Sequence, residues 1–238
     1  MRLLLASALI ASAPLLAHAQ STCTSDGQSQ PVALVERFIN ADCARCWAES
    51  TTHIPGPSAL LVDWIVPSAA QGDEAPLSAA ATRDALERLQ QLGRPVPAAT
   101  DTHVSEVATP ASAPASGRLR VMVGPAVNDY RGTSISLGRD ARRAMPAAEY
   151  RYTLLLVESI PAGTEGATAP RHLVRNMLQG PWNERMQLPK EEQWLWKESR
   201  SMRLPDGADA SRTRVVGWLE DAAGQAVAAA QSVCPAPQ

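Results

Sequence analysis

The tetrapeptide Cys43-Ala44-Arg45-Cys46 constrains this chain more than any other stretch, because of what flanks it. Val32 to Ile39 is apolar and rich in strand formers, broken only by Glu36-Arg37, and reads as a strand. Asn40-Ala41-Asp42 reads as a turn, with Asp42 placed to cap a helix that opens at Cys43. A C-x-x-C in a strand-to-helix turn carries chemical meaning. The partial positive charge of a helix start stabilises a thiolate, which makes Cys43 the expected nucleophile. Arg45 adds a second positive charge, and Cys46 is the expected resolving thiol. Glu36, on the preceding strand, is a candidate proton acceptor for the inner cysteine, because burial raises a carboxylate pKa. Its other reading is a strand charge paired with Arg37 or a neighbour.

Three further readings of the C-x-x-C stand beside exchange. One is a redox-inert structural disulfide. A second is half of a zinc site completed by Cys23, Cys234 or His53, although only one C-x-x-C knuckle exists here and structural zinc usually wants two. The third is a degenerate redox fold whose cysteines survive without enzymatic turnover. Cys23 and Cys234 lie near the two ends of the chain. The simplest arithmetic pairs Cys43 with Cys46 and Cys23 with Cys234 as a structural disulfide, while the alternative makes one terminal cysteine a third redox partner. A bridge between the ends closes a very long loop, worth ~3–5 kcal/mol in the chain-entropy model.

Disulfides persist only in an oxidising compartment, and the N-terminus indicates one. Met1-Arg2, the apolar run Leu3 to Leu16 and Ala17-His18-Ala19 have the form of a signal peptide over residues 1–19. The run is shorter than the about 20 residues a membrane helix needs, and no later run is longer, so no membrane span is expected in the mature chain. Lys190 and Lys197 are the only lysines, and with abundant alanine and proline this suggests a GC-rich bacterial source. The expected location is periplasmic or secreted. A net charge of −2 gives no reason to expect nucleic-acid binding. No dinucleotide, P-loop, zinc-protease, nucleophile-elbow or EF-hand motif is present, and no cofactor is expected. The partners implied are protein thiols and disulfides of the envelope.

Ala59 to Val66 is a nearly continuous apolar run that suits a buried parallel strand, interrupted by Asp63, a candidate partner for Arg45 or His53. Ser78 to Leu92 reads as a helix, with Ala81, Ala85, Leu89 and Leu92 at helical spacing, Ser78 as cap and Gly93 beyond the end. Strand, helix, strand, helix favours an α/β unit. Arg94 to Gly117 is rich in proline, alanine and serine and reads as a linker or excursion. Beyond it come strand candidates at 119–123, 133–137, 150–159, 172–178 and 192–197. A hairpin of Thr213–Glu220 with Gln225–Val233 closes the series. They suggest a sandwich-like β-rich half. Trp182, Trp194, Trp196 and Trp218 have packing between sheets as their main role, with a ligand surface as the alternative. His53, His103 and His172 are mutually isolated in sequence and read as solvated or core residues.

Val35-Glu36-Arg37-Phe38 followed by Ala41-Asp42-Cys43-Ala44-Arg45-Cys46 resembles the opening strand and active-site turn of the thioredoxin-like superfamily. More narrowly it is similar to DUF1223, a family of secreted bacterial proteins of unknown function, which reads V-E-L-F-T-S-x-G-C-S-S-C-P-P. Val62-Asp63-Trp64 is similar to that family's V-D-Y-W-D, and Glu165-Gly166 with His172-Leu173-Val174-Arg175 to its G-E-N-x-G and V-V-R segments. The closing strands from Trp218-Leu219-Glu220 to Ala230 are also similar. The chain departs from the pattern at Trp47-Ala48, which replace Pro-Pro, and in lacking an evident Thr-Pro opposite the cysteines. Thr109-Pro110, Pro95 and Pro97 are the candidates. The resemblance implies an α+β protein. Residues 30–112 would form a compact or reduced thioredoxin-like α/β domain, and residues 117–238 a β-rich, sandwich-like unit. The function it implies is thiol–disulfide exchange through Cys43 and Cys46. The alternative is a non-enzymatic envelope interaction module whose disulfides are purely structural.

Overall fold

A computed structural model describes residues 22–49, 58–108, 119–138, 149–182 and 194–234. Residues 1–19, expected as a signal peptide, His53 and Thr109-Pro110 lie outside the described residues, as does the side chain of Trp194. In chain order the first elements are β1 (Cys23–Thr24), β2 (Ala33–Asn40), α1 (Ala44–Ala48), β3 (Ala59–Val66), α2 (Arg83–Gln91) and β4 (Thr100–Glu106). They are followed by β5 (Leu119–Val127), β6 (Tyr130–Gly138), β7 (Tyr150–Ile160), β8 (Arg171–Trp182), β9 (Trp194–Arg203), β10 (Thr213–Glu220) and β11 (Ala226–Gln231).

These strands form two sheets. One is antiparallel, in the order β1-β5-β6-β9; the other is mixed, in the order β11-β10-β7-β8-β3-β2-β4. Alternation along β7 and β10 sends Leu154, Leu156, Val215 and Leu219 toward the smaller sheet, where they pack with Val121, Ile135 and Trp196. Leu155, Val157, Val216 and Trp218 point the other way, toward α2, and join Phe38 and Trp64 there. Gly217 lies where the two sheets approach closely. A Cβ at this position would come within 2.9 Å of Val121 Cγ1 and 3.0 Å of Ile135 Cδ1. Trp182 and Trp196 are buried between the sheets beside Tyr150 and Tyr152, so their role is packing.

The expected α+β class with an N-terminal thioredoxin-like unit is overturned. The molecule is a β-sandwich whose two α-helices, among the described residues, have only five and nine residues. The strand-helix-strand order is present, and β2 and β3 are parallel. Helices this short cannot cover the faces of a seven-stranded sheet, and the smaller sheet covers one of them instead. The proline-rich stretch after Arg94 does not separate two sheets either. It contains β4 itself, which was expected as linker, and β2 and β3 from before it share one sheet with that strand and with β7, β8, β10 and β11 from after it.

The larger sheet curls until its two edges touch. Ala108, just beyond β4, donates its N–H to the carbonyl of Ala226 at the start of β11, at 2.9 Å. Helix α2 lies on the concave face. It begins at Arg83 with Thr82 as the N-cap, later than expected, because Ser78–Ala80 forms a separate 3-10 turn.

Candidate functional site

Strand β2 ends in a tight turn in which Cys43 N–H donates to Asn40 O at 2.9 Å and Ala41 N–H to Val66 O at 2.9 Å. The N-cap of α1 is Cys43 itself, not Asp42. Its sulfur accepts the N–H of Cys46 at 3.3 Å. Asp42 instead holds Ser68, whose hydroxyl donates to Asp42 Oδ2 at 2.6 Å. Cys43 and Cys46 are joined by a disulfide, and both are partly exposed. Cys23 and Cys234 form the second bridge, so no cysteine is available as a zinc thiolate.

A helix of five residues cannot hold itself together in water, and its last four carbonyls have no partner within it. Here Arg45 O accepts the N–H of the C-cap Glu49 at 2.9 Å, and the β7–β8 loop and β8 satisfy the other three and the carbonyl of Glu49. Arg171 donates to the carbonyls of Cys46 at 3.2 Å and Trp47 at 2.6 Å, and also to that of Glu49. Thr168 Oγ1 donates to the carbonyl of Ala48. The Arg171 guanidinium also lies 5.4 Å from the centre of the Trp47 ring, and Trp47 Nε1 donates to Glu165 O at 2.7 Å. Arg171 is buried with its charge among carbonyls rather than carboxylates, and burial lowers its pKa. Arg45 contributes little to this arrangement. Its side chain is 83% exposed and reaches only toward Glu49, at 3.5 Å.

Glu36 is not beside the cysteines. It shares the concave face with Phe38, whereas α1 packs on the convex face through Trp47, Ile39 and Ile65. Both Glu36 oxygens accept hydrogen bonds from Arg88 of α2, at 2.8 and 2.7 Å, and Arg88 forks onward to Glu220 at 2.7 Å. The expected pairing with Arg37 is also absent, because Arg37 faces the other way and donates Nε–H to Asp63 Oδ1 at 2.6 Å. Asp63 is therefore the buried partner of Arg37, not of Arg45. The helical spacing Ala85, Arg88, Leu89 was the signal for Arg88, since it places an arginine on the apolar stripe.

Beside α1 lies a cleft of about 230 Å³. Trp47, Ile65, Leu77 and Leu173 supply its apolar walls, and Glu165 and Arg175 stand at its polar side. Pro95 and Pro97 are joined by trans peptide bonds, as are all the described residues, and Pro97 O accepts Asn40 Nδ2 at 2.8 Å. Among the described residues no group of three or more His, Cys, Asp or Glu is arranged to hold a metal ion. No helix of the described residues is long and apolar enough to cross a membrane.

No protein-family model matches the chain, and no curated protein matches it. Among solved structures, HBP35 of Porphyromonas gingivalis is similar, with a TM-score of 0.52 over 86% of this chain and 76% of that one. Sequence identity is 12%, so this likeness concerns the fold alone.

Proposed function

We propose that this chain is an exported thiol–disulfide exchange protein of the bacterial envelope, acting through Cys43 and Cys46. One observation carries the reading. The Cys43 sulfur, partly exposed at the head of α1, already accepts a backbone N–H, a contact that favours the thiolate over the thiol once the bridge is reduced. In the reducing direction the Cys43 thiolate attacks one sulfur of a partner disulfide. A mixed disulfide forms and the partner's second sulfur leaves as a thiolate. The Cys46 thiolate then attacks the Cys43 sulfur and expels the partner's first sulfur. Two electrons have passed to the partner, and Cys43–Cys46 is again oxidised, as it stands here. The reverse sequence oxidises a partner dithiol, and no bound cofactor takes part. The signal-like N-terminus and the long-range Cys23–Cys234 bridge support the compartment.

A second reading is favoured by the clamp on α1. Arg171, Thr168 and Glu165 tie the cysteine-bearing turn to the sheet independently of the bridge, as in an envelope interaction module whose disulfides are staples.

The reduction potential of the Cys43–Cys46 pair separates the two, together with a Cys46→Ala variant that traps mixed disulfides. Exchange requires a potential above about −300 mV and a trapped protein partner. A lower potential with nothing trapped overturns it in favour of the staple.

A further inference from the structure

We propose that Arg214, Ser159 and His172 form a binding site for a carboxylate group on the concave face of the seven-stranded sheet. The site is independent of the cysteines, which sit on the opposite face, and does not rest on the exchange reading.

Three adjacent strands, β10, β7 and β8, bring these residues together. Arg214 stands opposite Val157, and Ser159 stands opposite His172. Val157 belongs to the concave-face core, so alternation places all three polar side chains on that face. Arg214 Nη1 donates to Ser159 Oγ at 2.9 Å and lies 3.4 Å from His172 Nδ1. Both partners are neutral at neutral pH. Arg214 Nε is buried and has no hydrogen-bond partner.

Arg171 of the same sheet also lacks a carboxylate but is held by several backbone carbonyls, whereas three other arginines have carboxylate partners. Arg88 has Glu36 and Glu220, Arg175 has Glu158, and Arg37 has Asp63. Arg214 has no carboxylate at all within ion-pair distance among the described residues. The negative charge that acts on it, Asp63, is already occupied by Arg37 and by the backbone N–H of His172 at 2.6 Å. Burial accordingly pulls the Arg214 pKa down to about 10, the direction of a cation without a counter-charge. All three residues keep part of their surface exposed.

The chemistry of the ligand follows from the charge and the donors. One uncompensated positive charge matches a monoanion. A guanidinium fork fits the two oxygens of a carboxylate side by side, and the Ser159 hydroxyl can donate to one of them. An anion here would also strengthen the basicity of His172, which gives the imidazole a reporting role.

The test is an NMR titration of the full chain, following the His172 imidazole, with sodium acetate and inorganic phosphate at matched ionic strength. Acetate is expected to shift the resonance saturably and to bind more tightly than phosphate. Arg214→Lys, which keeps the charge but loses the fork, is expected to weaken acetate about tenfold, and Arg214→Gln to abolish saturation. A linear response in the native chain, an unchanged response in Arg214→Gln, or tighter binding of phosphate overturns the proposal. Should the variants not fold, arginine-specific labelling of the native chain decides instead. Acetate should slow modification of Arg214 and leave exposed Arg45 unchanged, and equal rates at both overturn it.

Discussion

Arg88 shows how much one buried side chain can be asked to do. It is 1% exposed, lies 5.2 Å from the centre of the Trp218 ring, and joins β2 to β10 through Glu36 and Glu220. Removing it strands Glu36, which is fully buried, without a counter-charge. Arg88→Ala should therefore cost about 3–5 kcal/mol in urea unfolding, because breaking a buried pair leaves the desolvation cost unmatched. Replacing all three members with apolar residues should cost much less. His172 makes a second prediction at this scale. Burial, with Arg214 and Arg37 adding like charge and Asp63 opposing them, holds its pKa at about 4. Above pH ~6.5 the imidazole is neutral in both folded and unfolded chains and stability is unaffected. As pH falls from ~6.5 to ~4 the unfolded chain takes up a proton that the folded chain refuses. Stability should decline across that window by about 2–3 kcal/mol, measured in chloride buffers, and His172→Gln should flatten the decline.

At the scale of elements, α1 exists because β8 and the loop before it supply what five residues cannot. The predicted consequence is that Arg171→Ala frees α1 from the sheet. It should cost about 2–3 kcal/mol, since three carbonyls lose a charged donor in a buried site. Amide hydrogen exchange at Trp47 and Glu49 should rise far more than exchange in β6. The same change reads on function, because a loosened turn should shift the Cys43–Cys46 potential if that pair turns over. The helix start was legible from the C-x-x-C after a strand, and β3 has the expected bounds of Ala59–Val66. The identity of the cap was not. Asp42 and Cys43 are both able to accept an N–H, and only the route of the chain toward Ser68 decides between them.

For the whole molecule, the decisive joint is between β3 and β8. These strands pair in parallel at a single position, Asp63 opposite Leu173, and the Asp63 carboxylate spans the joint from Arg37 to the His172 N–H. This joint makes one sheet from strands on both sides of the proline-rich stretch. The Cys23–Cys234 bridge acts at the same scale. It ties β1 of the smaller sheet to the chain just beyond β11 of the larger one, beside a Thr24–Val233 bridge. Cys23→Ser with Cys234→Ser should lower stability by about 2–5 kcal/mol in chemical unfolding, while leaving the Cys43–Cys46 potential unchanged.

Local patterns in the sequence were sufficient for much of this. Period-two alternation, apolar runs and turn residues placed most strands near their true bounds, and the spacing of Cys43 and Cys46 marked the one chemically suggestive turn. Those signals arise from neighbours within a few residues, so they survive without knowledge of the fold. Which sheet each strand joined was decided only in the tertiary structure. Strand pairing is a contact between distant segments, and the apolar face of β3 suits a helix-covered sheet and a sandwich equally well. The charged residues show the same division. Glu36 and Asp63 were visible as anomalies in apolar strands, but their partners Arg88 and Arg37 depend on which face each side chain takes once the sheet has curled.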